Sequence, residues 1–197
     1  MRFFKDNLDS IVKLYINQIG VAIFAFFLYT AAGAISENGT TTLLMKVLIS
    51  VFAVLFYFVL IYNVAWEIGA KDKIRIDGGR MERKDSKGIY LGLWANVPNF
   101  VVIGIAFLLF ALYMAFDAEG LKTFFAILNL IFRFFVSMYL GLIQGITSSF
   151  ADDVDLTYLV QTLLFLVFSL VSALITHVSY ILGLKDFRFF PPSKQQK

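Results

Sequence analysis

The sequence predicts an all-α, polytopic helical membrane bundle. Three observations carry that expectation. The chain of 197 residues is 59% hydrophobic and only 16% charged, with 23 phenylalanines and a mean hydropathy of +0.79, whereas a soluble domain is about one quarter charged. Five apolar stretches are each long enough for the ~20 helical residues that cross about 30 Å of hydrocarbon. None of them alternates with the period of two that a membrane β-strand requires.

The five expected helices, taken in order, are 11–35, 44–67, 98–116, 122–149 and 156–184 of one integral membrane domain, 1–197. The first is uncharged from Leu14 to Ile35. Arg2 and Lys5 precede it, and Ala32-Gly33-Ala34 has the small-residue pattern of a signal-peptide cleavage site. The run is longer than a secretory h-region and Asp6 and Asp9 interrupt the basic leader, so a retained helix is the expectation. Asn7 or Asp9 is positioned to cap it. The second helix lies between Lys46 and Glu67, and Glu67 has Lys71 four residues on as an ion-pair partner.

The third segment carries Asn96-Val97-Pro98-Asn99. Proline is favoured in the first turn of a helix and disruptive in its interior. A break at Pro98 leaves 98–116 as the span and lays 88–96 along the interface, with Tyr90 and Trp94 as belt aromatics. One long kinked helix is the alternative.

The fourth segment contains Arg133, and a cation at mid-bilayer costs about 2.5–3.5 kcal/mol on insertion scales. Asn129, Arg133, Ser137, Gly141, Gln144 and Ser148 recur at spacings of three and four, which predicts a polar stripe turned into the bundle. Together with His177 of the fifth helix, the only histidine, Asn129, Arg133, Ser137 and Gln144 form the candidate polar intramembrane site. The competing reading makes Arg133 an interfacial snorkelling residue, because Arg-Phe-Phe also occurs at 2–4 and 188–190, beside membrane edges. In the fifth helix Ser169, Ser172, Thr176, Ser179 and Gly183 fall at the same helical spacings and predict a packing seam of small and hydroxyl residues.

Residues 71–88, KDKIRIDGGRMERKDSKG, hold seven Lys/Arg and four Asp/Glu. The segment 68–88 is expected as a charged loop, with Asp77-Gly78-Gly79 as a hairpin turn in one reading. Lys and Arg concentrate in cytoplasmic loops, which assigns this loop and the N-terminus to the cytoplasm. The basic tail 185–197 then creates a conflict. Five full spans, which segment lengths favour and which are the leading expectation because acidic residues weigh little in the charge rule, put it outside. A fourth segment that re-enters, or lies along the membrane, puts it inside with the other basic segments.

No cysteine is present, which excludes disulfides, thiolate metal sites and a Cys nucleophile. A lone histidine without an HExxH pattern argues against a zinc site. No nucleophile elbow or paired acidic motif points to catalysis, and the net charge of +3 shows no basic aromatic stripe of the kind nucleic acid requires. The expectations are therefore no cofactor, no metal and no nucleic acid. The bilayer, and a protein partner or second copy, are the expected associates. A non-enzymatic accessory or scaffold-like role leads, with a solute transporter or embedded binding subunit as the alternative.

At WEIGAKDKIRIDGGR, 66–80, and YILGLKDFRFF, 180–190, the chain resembles small polytopic membrane proteins of Gram-positive bacteria, a group without an assigned activity. The resemblance implies a bacterial cytoplasmic membrane location and carries no functional residue with it. In size and span count the chain is also similar to the substrate-binding subunits of energy-coupling vitamin transporters and to five-span Yip-type proteins, by shape alone.

The composition makes a direct prediction. The chain is expected to stay with the membrane pellet through high-salt and alkaline washes and to dissolve only in detergent. Recovery in the aqueous wash, measured by immunoblot, contradicts an integral membrane protein.

Overall fold

The computed structural model describes residues 2–35, 39–116, 119–150 and 154–189; the side chains of 2, 116, 119–129, 150 and 154 lie outside the described set. The described residues form seven α-helices and a 3-10 turn, with no strand among them: α1 (Arg2–Asp6), α2 (Leu8–Ile35), α3 (Gly39–Asp77), α4 (Lys87–Ala95), α5 (Val97–Phe116), α6 (Glu119–Thr147), the turn Ser148–Phe150, and α7 (Val154–Leu184). Lipid offers backbone groups no hydrogen-bonding partner, so apolar spans close their own bonds as helices. Five of these helices are long and apolar enough to cross a bilayer. Their outward faces are apolar: Phe27, Leu48, Leu55, Leu108, Leu174 and Val178 are all exposed. Water would penalise that surface and acyl chains do not.

Two boundaries differ from the sequence expectation. α3 does not stop at 67. It continues ten residues to Asp77 because nothing in AKDKIRID breaks a helix, and charged side chains are good helix formers once clear of lipid. Gly78 and Gly79 then end the helix rather than turn a hairpin. The Gly79 N–H donates to the Ile76 carbonyl and the Arg80 N–H to the Arg75 carbonyl, both at 2.9 Å, a Schellman cap with Gly79 at φ +68°. The charged loop is reduced to the short link between α3 and α4.

The second difference concerns residues 88–96, expected along the interface. The break falls at Asn96, two residues before Pro98, whose ring would clash with the carbonyl four residues back if the helix ran on. But α4 is not an interfacial helix. It runs antiparallel to α7, with Gly88 against His177 and Tyr180, Gly92 against Ala173, and Asn96 bonded to Ser172. α5 continues in the same direction, its Ala106 carbonyl accepting from Tyr158. α4 and α5 make one traverse of the bundle, interrupted about a third of the way along it from the loop end.

α3 and α7 run parallel. Tyr57 lies beside Ser172, and Gly69 beside Gly183. Both helices therefore start at one end of the bundle and finish at the other, where the α3–α4 link lies; the latter is called the loop end below. α2 starts at the loop end, since its Gln18 bonds Tyr57 and Asn99 while Tyr29 meets Lys46 near the start of α3.

α6 behaves differently from the other four long helices. Phe132 packs on Phe165, Phe134 on Phe26, Tyr139 on Phe168, and Ser137 donates to the Ala22 carbonyl at 2.7 Å. Gly141 and Gly145 then meet Lys46, Val47 and Ser50. From Phe132 to Gly145 the helix rises about 20 Å. Its partners nevertheless remain in the halves of α2, α3 and α7 remote from the loop end. α6 cuts across the bundle, and it joins the end of α5 to the start of α7 at the same end. Of the two sequence-based topologies, four traverses with a fourth apolar segment lying across them is the one these contacts fit.

Close backbone approach requires glycine at Gly69 and Gly183. A Cβ on Gly69 would overlap the Tyr180 carbonyl, and one on Gly183 would overlap the Trp66 carbonyl. Overpacking of this kind costs about 1–3 kcal/mol or more. Gly69→Leu and Gly183→Leu are each expected to lower the melting temperature in detergent, whereas Gly104→Leu, where a Cβ meets nothing within 4 Å, leaves it unchanged. Equal stability of all three variants contradicts the packing.

Candidate functional site at the loop end and the helix break

Polar side chains gather at two levels. The first is the α4–α5 break. Gln18 Nε2 donates to Asn99 Oδ1 at 2.8 Å, and Asn99 Nδ2 donates to Asn96 Oδ1 at 2.8 Å. Ser172 Oγ donates to the same Asn96 oxygen at 3.1 Å, and Asn96 Nδ2 to the Gly92 carbonyl at 2.8 Å. The Tyr57 hydroxyl donates to Gln18 Oε1 at 3.3 Å. All five residues are buried. They come from α2, α3, α7 and the break itself, where the Gly92 carbonyl accepts both the backbone N–H and the side-chain amide of Asn96. The groups answer one another, so the cluster clamps four helices in the apolar interior.

The second level is the loop end. Asp72 is only 2% exposed, and a carboxylate so enclosed is costly unless paired. Lys87 Nζ sits 2.7 Å from Asp72 Oδ2, the Tyr180 hydroxyl donates to the same oxygen at 3.0 Å, and the Arg75 guanidinium lies 3.8 Å from Oδ1. The glycines explain the burial. Gly69 and Gly183 let α3 touch α7, and Gly88 lets α4 abut Tyr180. Three helix ends thereby converge on one carboxylate.

The segment after α7 folds back onto α3. Trp66 Nε1 donates to the Phe187 carbonyl at 2.7 Å, the Arg188 guanidinium stacks 3.9 Å from the centre of the Trp66 ring, and Phe189 N–H donates to Tyr62. Asp186, at φ +56°, closes α7 with a second Schellman cap and faces Lys73 at 3.8 Å. The two stretches singled out by resemblance, 66–80 and 180–190, thus pack against each other. Lys71 pairs with Glu67 as their spacing predicts.

The sequence-derived site is dispersed. Ser137 is buried, tying α6 to α2, and Gly141 is pressed on α3 with its N–H donating to Ser50 Oγ at 2.8 Å. Gln144 is half-buried, and Arg133 is on the exposed side of α6 near Tyr29. The expected inward stripe is thus corrected at Arg133, because a four-residue spacing drifts about 40° per step around a helix of 3.6 residues per turn. Asn129 lies outside the described side chains. His177 is half-buried beside Gly88, with Nδ1 enclosed and no hydrogen-bond partner among the described residues. It joins neither Arg133 nor the break cluster. Ser169, Ser172, Thr176 and Ser179 are buried, and Gly183 contacts α3, so this seam packs α7 within the chain itself. Ser172 alone also serves the polar cluster. Sequence reasoning passed over Gln18, Tyr57 and Asp72 and met Asn99 only within Asn96-Val97-Pro98-Asn99, the one signal that pointed to the break cluster.

This geometry defines an all-α multi-pass membrane protein. No protein-family model, curated protein or solved structure matches the chain, so the reading rests on its own residues.

Removing Lys87 leaves the Asp72 carboxylate enclosed without its closest cation, a loss of about 3–5 kcal/mol. Lys87→Met is expected to destabilise the protein strongly in detergent melts, and Lys87→Met/Asp72→Asn to recover part of that loss. A double-mutant cycle with no coupling between the two positions contradicts the pairing.

Proposed function

We propose that this is a non-enzymatic, accessory or scaffold-like membrane protein that acts by association, with its loop end in the cytoplasm. The carrying observation is the segregation of its polar groups. In the bundle interior the polar side chains of the break cluster bond one another, while the charged groups gather mainly at the loop end. Two cavities open there, of about 660 Å³ and 330 Å³, lined largely by charged residues of α1, α2, α3, α4 and the α3–α4 link. Among the residues with described side chains, every Lys and Arg except Lys46 and Arg133 belongs to this end. The helix ends at the other side are joined in sequence by SEN, DA and ADD. That asymmetry supports a cytoplasmic loop end. Because the α7 seam is consumed within the chain, the association surface is the loop end.

A second reading draws on the helix break. Interrupted helices with polar residues mark solute sites in transporters. In this chain such a site belongs at Gln18, Asn96 and Asn99 rather than around Arg133.

Reporter fusions test the orientation: a reporter after residue 189 is expected to be active in the cytoplasm, and one within 36–38 outside it. The reverse result overturns the topology. In-cell crosslinking followed by mild extraction is expected to yield a defined complex or oligomer. A lone monomer under those conditions, together with stabilisation by a small solute that Asn99→Leu abolishes, supports the transporter reading instead.

A further inference from the structure

We propose that the larger loop-end cavity is a binding site for the phosphate of an anionic phospholipid headgroup. Its walls carry Arg75, Arg80, Lys84 and Lys87 against the acids Asp6 and Glu82. Lys87 is committed to Asp72, and Arg75 leans on the same carboxylate. Arg80 and Lys84 have no ion pair or hydrogen bond from their side chains among the described residues, so two cations face the cavity uncommitted. Ser86 lines the same wall and makes no side-chain cap bond to α4, which leaves the positive end of that helix's dipole directed at the cavity.

The depth of the cavity selects a lipid over a soluble anion. Phe3 meets Tyr90 edge-on at 5.8 Å, and both line the cavity. One turn along α4, Phe4 packs on Trp94 at 5.0 Å. Tyr90, in the first turn of α4, is exposed on the outside of the bundle. An outward Tyr at the end of an apolar traverse marks the headgroup level of a bilayer. A phosphate held by Arg80 and Lys84 would therefore sit at its natural depth, with its acyl chains descending over Phe3, Tyr90 and the apolar face below. A phosphate ester joins such a site through charge-assisted hydrogen bonds, for which guanidinium geometry is well suited.

The test uses the full chain in nanodiscs of phosphatidylcholine with and without phosphatidylglycerol. The readouts are phosphatidylglycerol retained after mild delipidation, by native mass spectrometry, and the unfolding temperature. Arg80→Gln/Lys84→Gln is compared with Lys73→Gln/Lys185→Gln, which removes equal charge from the same end outside the cavity. Wild type and the second variant are expected to retain phosphatidylglycerol and to be stabilised by it. The first variant is expected to retain it about tenfold less well, and Arg80→Lys, which keeps the charge and loses the guanidinium fork, to fall between that variant and wild type. Equal loss in both double variants reduces the effect to general attraction and overturns the site, as does loss in neither. Inorganic phosphate in pure phosphatidylcholine discs provides the remaining arm. Stabilisation there equal to that by phosphatidylglycerol identifies a free phosphate ion as the ligand and overturns the lipid assignment.

Discussion

Where Gly69 faces Gly183, α3 and α7 touch backbone to backbone, and they run in the same direction. Between lipid-solvated helices there is little hydrophobic gain to be had from pairing, so close van der Waals approach has to hold them. The glycines permit that approach. Parallel alignment then constrains the connections. The chain leaving α3 at the loop end must return before α7 can begin, and α4–α5 make that return. With α5 ending and α7 starting at the same end, α6 has no traverse left to make. It lies across α2, α3 and α7 instead, fixed by Ser137 on the Ala22 carbonyl and by Gly141 on Ser50.

The same approach of backbones organises the charge. Asp72 is buried because three helix ends close on it, and its burial recruits Lys87, Tyr180 and Arg75. The segment after α7 is held by Trp66 and Tyr62 of α3. The loop end is thus a packed, charged platform, with α1 held by its Phe3 and Phe4 on Tyr90 and Trp94. In the interior, the Gln18–Asn99–Asn96–Ser172 chain performs a different task, tying α2, α7 and the helix break together without admitting charge.

Length and hydropathy alone determined that the chain forms long helices in lipid, because a bilayer permits a spanning segment almost no other structure. The unequal distribution of Lys and Arg already marked one end of the assembly, and Pro98 marked an interruption to within two residues, because a missing N–H acts locally. The tertiary structure decided what depends on distance between segments. Gln18, Tyr57 and Asn99 are singly unremarkable in sequence, and only helix packing brings them together. Arg133 and Ser137 share a periodicity, yet the packing of α6 on α2 leaves one exposed and buries the other. Whether the fourth apolar segment crosses or lies across was open to length and charge alike, since both are properties of a segment taken alone. The contacts that bear on it, above all the parallel contact of α3 with α7, relate residues more than one hundred positions apart.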